Sequence, residues 1–266
     1  MSKNVDLRCT DKKLLEAAAE LAPTLGLRFT SRGVPVEVKT GDELSLRKSG
    51  EGFVLTYRKK NEFFRGLSLL GAVVSEGREH VETGKYDMLC YMADVSRNAV
   101  LNMNGAKEMI RILAAMGYDS LMLYSEDTYE VPEYPYFGRM RGRYSAEELR
   151  EIDDYADMFG IEVIPCMQTL AHLATALRWP GLNSIVDCND IMLVGDERTY
   201  TFVRACLTTC RKIFRSKRIN IGMDEAHMLG RGRYLTKNGY RPAHEIMLEH
   251  LDRVAAICAE VGYEPM

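Results

Sequence analysis

One recurring pattern limits what this chain can fold into more than any other. Met116-Gly117-Tyr118-Asp119, Phe159-Gly160-Ile161-Glu162 and Val261-Gly262-Tyr263-Glu264 each close an apolar-periodic segment with glycine. The first two then open toward a further apolar run. Glycine tolerates the left-handed conformation that ends a helix, so each copy reads as a helix C-terminus leading into a strand. Around these marks the spacing predicts strands over 88–95, 120–125, 161–167 and 218–223. It predicts helices over 104–116, 146–159, 198–214 and 243–261. Ser145, followed three residues later by Glu148, is a capping box for the second of these helices. Buried runs such as Ser120-Leu121-Met122-Leu123 suit parallel strands covered by helices. Repeated βα units specify the α/β class.

Residues 1–86 follow a different rhythm. Leu14, Leu15, Ala18 and Leu21 set a helix over 11–21, and alternation marks strands over 34–38, 44–46 and 53–57. Gly41-Asp42 and Gly50-Glu51-Gly52 turn the chain between those strands, and Asn61 is the expected cap of a helix over 62–74. The expected organisation is a small α+β domain over 1–86, followed over 87–266 by the first four βα units of a (β/α)8 barrel. A complete barrel takes eight units and about 250 residues. The third glycine mark is followed only by Pro265 and Met266. The sequence therefore predicts a chain truncated after about half of the barrel, an arrangement that would leave strand edges open.

Composition narrows the function classes. The chain is 46% hydrophobic and 27% charged, with 35 Lys+Arg against 38 Asp+Glu. That is a folded globular composition with no concentrated basic face, so no nucleic-acid partner is expected. No uncharged apolar run of about 18 residues occurs, so no membrane span is expected, and Met1 to Asp6 lacks a secretory apolar core. Seven cysteines, at 9, 90, 166, 188, 206, 210 and 258, form no CxxC pair. They read as small buried hydrophobes in a reducing compartment, which makes the cytoplasm the expected location. No metal or cofactor is expected: His244-Glu245 with His250 misses the HExxH spacing, and Gly230-Arg231-Gly232-Arg233 lacks the Lys-Ser/Thr of a phosphate loop.

In α/β folds of this kind, chemistry gathers at the C-terminal ends of the strands. Those ends read Asp94-Val95-Ser96-Arg97, Ser125-Glu126-Asp127-Thr128-Tyr129-Glu130, Gln168-Thr169-Leu170-Ala171-His172 and Gly222-Met223-Asp224-Glu225-Ala226-His227. Carboxylates facing a common mouth are what glycosidic cleavage requires, one to protonate the leaving oxygen and one to face a cationic transition state. The adjacent pair Asp224-Glu225 is the most informative, because like charges resist joint burial. Taken alone, one of these acids could face solvent, or both could bind an arginine. His172 alone reads as a structural histidine, and Arg97 alone as a salt-bridge residue.

Together these segments resemble a known family. Asp94-Val95-Ser96-Arg97, Gln168-Thr169-Leu170-Ala171-His172-Leu173, Leu177-Arg178-Trp179-Pro180 and Ile221-Gly222-Met223-Asp224-Glu225-Ala226-His227 are similar to glycoside hydrolase family 20, the β-N-acetylhexosaminidases, in its bacterial cytoplasmic-type branch. Phe63-Phe64-Arg65-Gly66-Leu67 resembles the helix of the small domain preceding the barrel in that family. The resemblance implies exo-acting removal of terminal N-acetylglucosamine or N-acetylgalactosamine by a retaining, substrate-assisted mechanism, with no cofactor. It implies that Glu225 is the general acid/base and that Asp224 orients the acetamido group. Arg97 would bind sugar hydroxyls, and His172 would lie near Glu225, supported by Asp127 or else Glu126. The partner implied is an N-acetylhexosamine-terminated glycan. The expected weakness is the missing second half, which in the family brings pocket tryptophans and a tyrosine, whereas this chain has one tryptophan, Trp179. Weak or absent activity is expected of the chain alone. The alternative is a noncatalytic half-barrel completed by a second copy or by another chain.

Overall fold

A computed structural model describes residues 3–97 and 99–266, and the chain divides into two compact units. One comprises Met1–Tyr91, Asn102–Leu121 and Asp154–Glu162; the other comprises Met92–Leu101, Met122–Asp153 and Val163–Met266.

The first unit opens with β1 (Lys3–Arg8), α1 (Lys12–Leu21), β2 (Leu27–Phe29), β3 (Val34–Thr40), β4 (Leu44–Ser49), β5 (Gly52–Tyr57), α2 (Lys60–Glu76) and β6 (His80–Glu82). The strands make one mixed sheet in the order β2-β1-β3-β5-β4-β6. The sequence predicts only three of these six. Of β1 only Val5 is buried, and β2 and β6 have three residues each, too few for an alternating signal. Helix α1 starts at Asp11, whose carboxylate accepts the Leu14 N–H at 3.1 Å, and buries Leu14, Ala17, Ala18 and Leu21. Asn61 does not cap α2. The helix begins two residues earlier than expected, at Lys60, because the Glu62 carboxylate takes the N–H groups of Arg58 and Lys59 at 2.8 and 3.0 Å. Asn61 is left to donate its amide to the Gly117 carbonyl at 2.8 Å. Phe63, Phe64 and Phe159 pack in successive edge-to-face contacts, and burying each large ring contributes about 2–3 kcal/mol.

Beyond β6 the chain alternates: β7 (Cys90–Asp94), α3 (Met103–Met116), β8 (Ser120–Ser125), α4 (Ala146–Asp157), β9 (Glu162–Met167), α5 (Ala174–Leu177), β10 (Val186–Cys188), β11 (Ile191–Met192), α6 (Glu197–Ile213), β12 (Arg218–Ile219), α7 (Arg233–Asn238), α8 (Ala243–Val261) and β13 (Glu264–Pro265). Strands β7, β8 and β9 are adjacent in that order. A parallel bridge from Cys166 to Asn220 carries the neighbourhood on to β12, which pairs in parallel with β13. The fold is α/β. Gly117, Gly160 and Gly262 hold φ of 84°, 73° and 87°, the left-handed geometry the sequence assigns them. The capping box also forms, with Ser145 N–H to Glu148 at 2.8 Å and Glu148 N–H to Ser145 Oγ at 3.2 Å. Of the expected strand over 218–223 only Arg218 and Ile219 form a strand; Asn220 adds a single bridge to Cys166, and Gly222 leaves the extended region with φ 26°.

In the second unit a buried cluster of Leu170, Ala171, Ile191, Leu193, Leu229 and Ile246 lies under the connections that follow β9 and β12. No disulfide joins any of the seven cysteines, all of which are described residues; Cys166, Cys206, Cys210 and Cys258 are buried as expected, whereas Cys9, Cys90 and Cys188 are partly exposed. Among the described residues no helix is long and apolar enough to cross a membrane.

His250 of α8 is fully buried, with Nε2 2.9 Å from the Thr169 carbonyl and Nδ1 3.3 Å from the Tyr200 hydroxyl. Burial outweighs the carbonyl contact and lowers its pKa to about 4. Between the ordinary value near 6.5 and 4, the unfolded chain takes up a proton that the native state refuses. Stability is therefore retained above that window and falls as pH drops through it, by about 3 kcal/mol from this residue. Urea unfolding from pH 7 to 4 checks this: His250→Gln lowers stability at pH 7 but flattens the pH slope, and an unchanged slope contradicts the assignment.

Candidate active site

The site lies in the second unit, where four strand ends deliver polar side chains. After β7, Asp94 accepts the N–H groups of Ser96 and Arg97 at 2.9 and 3.1 Å, a turn that sets Arg97 at the strand end. Buried Ser96 accepts the Glu126 N–H at 2.7 Å and so fixes the end of β8 beside it. After β9, Thr169 donates its N–H to the Gly222 carbonyl at 3.0 Å and its hydroxyl to the Ile221 carbonyl at 2.5 Å. These bonds bind the run that leads to His172 to the run that leads to Asp224 and Glu225.

Two of the candidate residues sit in backbone conformations that side chains disfavour. His172 has φ 58° and Glu225 has φ 54°. Such positions cost on the order of 1–3 kcal/mol and persist where the surroundings over-determine them. Here the His172 N–H is held by Asp190 at 3.2 Å, and the Glu225 carbonyl accepts the His227 N–H at 2.7 Å. The result is convergence: His172 Nε2 lies 3.3 Å from Asp224 Oδ2 and 3.5 Å from Glu225 Oε2. Nε2 is buried and completes a hydrogen bond with neither.

Arg97 joins this group through two intermediaries. It donates to the Tyr124 hydroxyl at 2.8 Å and lies over the Tyr124 ring. The Gln168 amide donates to the same hydroxyl at 3.0 Å and to Asp224 Oδ1 at 3.1 Å. Burial would raise the pKa of Asp224, but the Gln168 amide, the backbone and His172 outweigh it and hold the carboxylate below its ordinary range. Tyr124 is pushed up to about 12, mainly by burial. Burial also raises Glu126, against the opposing pull of Arg97 and Arg141. An open cavity of about 710 Å³ borders Tyr124, Gln168, Gly222 and Asp224, with Met223 and Met247 on its apolar side.

Asp127 is engaged elsewhere. It is fully buried, its Oδ1 accepts Arg141 Nε at 3.0 Å, and its Oδ2 has no hydrogen-bond partner. Glu126 lies 3.5 Å from Arg97 Nε and 3.7 Å from Arg141. The structure thus brings together Asp224, Glu225 and His172, and links Arg97 to them. Neither acid of the β8 end makes a hydrogen bond to the imidazole. Sequence reasoning assigned no role to Tyr124, Gln168 or Arg141; the first sits inside an apolar strand, and only its place at a strand end could have marked it. Among the described residues no three His, Cys, Asp or Glu side chains are grouped to hold a metal ion.

The family model for the glycosyl hydrolase family 20 catalytic domain matches residues 89–260. The chain belongs to that family. Among curated relatives of this family-20 chain, hexosaminidase D of Bos taurus is 23% identical over 156 residues, 56% of this chain and 45% of that protein. Its fold matches the solved GH20 exo-β-N-acetylglucosaminidase from Vibrio harveyi in complex with N-acetylglucosamine, with TM-score 0.81 at 15% identity, over 100% of this chain and 51% of that one. It also matches the GH20 β-N-acetylhexosaminidase from Streptomyces coelicolor A3(2), with TM-score 0.78 at 21% identity, over 99% of this chain and 61% of that one. The chain spans about half the length of the first relatives it matches.

The loop bearing the two acids is anchored from below by Asp187, which is buried and accepts the N–H groups of Gly230 and Tyr234 at 3.0 and 2.7 Å. Asp187→Ala strands both donors, at about 1–3 kcal/mol each. Urea unfolding should show a loss of about 2–5 kcal/mol, with faster amide exchange at Gly230 and Tyr234. Unchanged exchange at those two amides would contradict this anchoring.

Proposed function

We propose that this chain carries the acid–base half of an exo-acting β-N-acetylhexosaminidase site, which releases terminal N-acetylglucosamine or N-acetylgalactosamine with retention of configuration. In this reading residues 1–86 are the accessory α+β domain, and 87–266 are the first four βα units of a (β/α)8 barrel. The observation that supports it most is the convergence of Asp224 and Glu225 on His172 within 3.5 Å, with Arg97 tied to the same group.

The roles follow from the chemistry of each group. Glu225, about two-thirds exposed, can reach a leaving-group oxygen, protonate it and later take a proton from water. Asp224 is held as an anion, so it can accept an acetamido N–H and stabilise positive charge as the acetamido oxygen attacks the anomeric carbon. Arg97 keeps half of its surface exposed and can donate to sugar hydroxyls while its remaining donors hold Tyr124. His172 lies within 3.5 Å of both carboxylates, a close neighbour of each. Asp127 acts further back, through Arg141. No step calls for a metal or cofactor.

Turnover by the 266-residue chain alone is weak or absent in this proposal, since orientation and exclusion of water supply much of the barrier reduction. The share of its relatives' length that it spans supports this. Assayed at high protein concentration on a chromogenic β-N-acetylglucosaminide, the chain should turn over far more slowly than a complete family member. Glu225→Gln should lower the residual rate by about 10²–10⁴-fold, and by less when the leaving group is a stronger acid. Equal and measurable rates for Glu225→Gln and the parent chain would overturn the assignment.

A second reading, a half-barrel that requires a partner chain or a second copy, draws on one observation. Met92, Leu251 and Met266 border the cavity and are 38–47% exposed. Light scattering tests the second-copy form of this reading: a defined oligomer favours it, and a monomer removes a second copy as the completing chain.

A further inference from the structure

Tyr124 and Gln168 are buried polar side chains between two groups that the proposed mechanism uses. Each donor and acceptor there has only one workable direction. A carboxylate only accepts, so the Gln168 nitrogen must face Asp224, since the reverse orientation would set oxygen against oxygen. The other N–H of that nitrogen meets the Tyr124 hydroxyl, which also accepts from Arg97. With both of these bonds accepted, the Tyr124 proton points toward Glu126, 3.5 Å away.

This arrangement carries a cost that packing does not explain. Gln168 Oε1 is buried without a partner. An unsatisfied buried acceptor costs about 1–3 kcal/mol, which an apolar side chain of similar size would avoid. The backbone opposite is also cleared for the amide. A Cβ on Gly222 would come within 2.7–2.9 Å of the Gln168 amide atoms. The costly feature is therefore the amide itself, and what the amide does is direct its N–H groups.

We propose that Tyr124 and Gln168 are positioning residues of the sugar site: the Tyr124 hydroxyl locks the Gln168 amide, and that amide sets the direction of the Asp224 carboxylate and ties it to Arg97. The inference rests on the hydrolase reading for its purpose, but its geometry can be tested without substrate. The titratable and charged groups facing Asp224 are His172 from the β9 end, Glu225 beside it and Tyr124 from β8, with Arg97 and Glu126 beyond Tyr124. None of these changes in the first two variants below, in which Gln168 alone is replaced.

The experiment is a carboxylate carbon NMR titration of Asp224 in the ligand-free chain, in the parent and in Gln168→Leu, Gln168→Glu and Tyr124→Phe, with amide spectra confirming the fold. Gln168→Leu removes the donor and should raise the Asp224 midpoint by about one pH unit; Gln168→Glu adds a facing negative charge and should raise it further. Tyr124→Phe removes one oxygen while keeping the ring, and should also raise the midpoint by freeing the amide. It carries the test if the Gln168 variants do not fold. An Asp224 midpoint that stays at the parent value in a folded variant overturns the proposal. That failure would leave the hydrolase reading standing, whereas full turnover by Glu225→Gln would end the hydrolase reading and leave this titration intact.

Discussion

Thr169 is fully buried, and each of its polar groups is bonded to a neighbouring element. Its N–H meets the Gly222 carbonyl, its hydroxyl meets the Ile221 carbonyl, and its own carbonyl meets the His250 ring of α8. These three bonds fasten the end of β9 to the broken strand that follows β12, and fasten both to a helix behind them. Buried backbone groups left unpaired are costly, so the two chain segments hold one register. Everything at the site inherits that register. His172 lies three residues beyond Thr169, and Asp224 lies two residues beyond Gly222. A shift of either segment would separate the imidazole from the acids.

Electrostatics then distinguish the two neighbouring carboxylates. Asp224 receives an amide N–H and lies against His172, which keeps it an anion, whereas Glu225 stands largely in solvent on a left-handed turn. The two acids, adjacent in sequence, therefore stand in different environments. The arginine at the β7 end connects to Asp224 and not to Glu225.

Much of this was legible in the residues, for identifiable reasons. The βα rhythm shows because left-handed glycines and a capping box mark helix ends locally, without reference to the rest of the chain. His172, Asp224 and Glu225 show because titratable residues at strand ends stand out from apolar surroundings. What stayed hidden depends on contacts distant in sequence. His250 meets a carbonyl 81 residues away, and Gln168 meets a carboxylate 56 residues away; neither contact leaves a local signature. Asn61 looked like a helix cap because asparagine favours that place, yet Glu62 binds the N–H groups of Arg58 and Lys59 and sets the helix start further upstream. At the end of β8 two acids stand side by side, and no spacing argument decides which one an arginine takes. Arg141, arriving from fourteen residues along, takes Asp127.

A crystal structure of the chain soaked with N-acetylglucosamine tests the central claim most directly. The account predicts ring hydroxyls on Arg97, the acetamido nitrogen donating to Asp224, and the Glu225 carboxyl beside the anomeric oxygen. A sugar that touches none of the three, or acids that face away from Arg97 across the sheet, would contradict it.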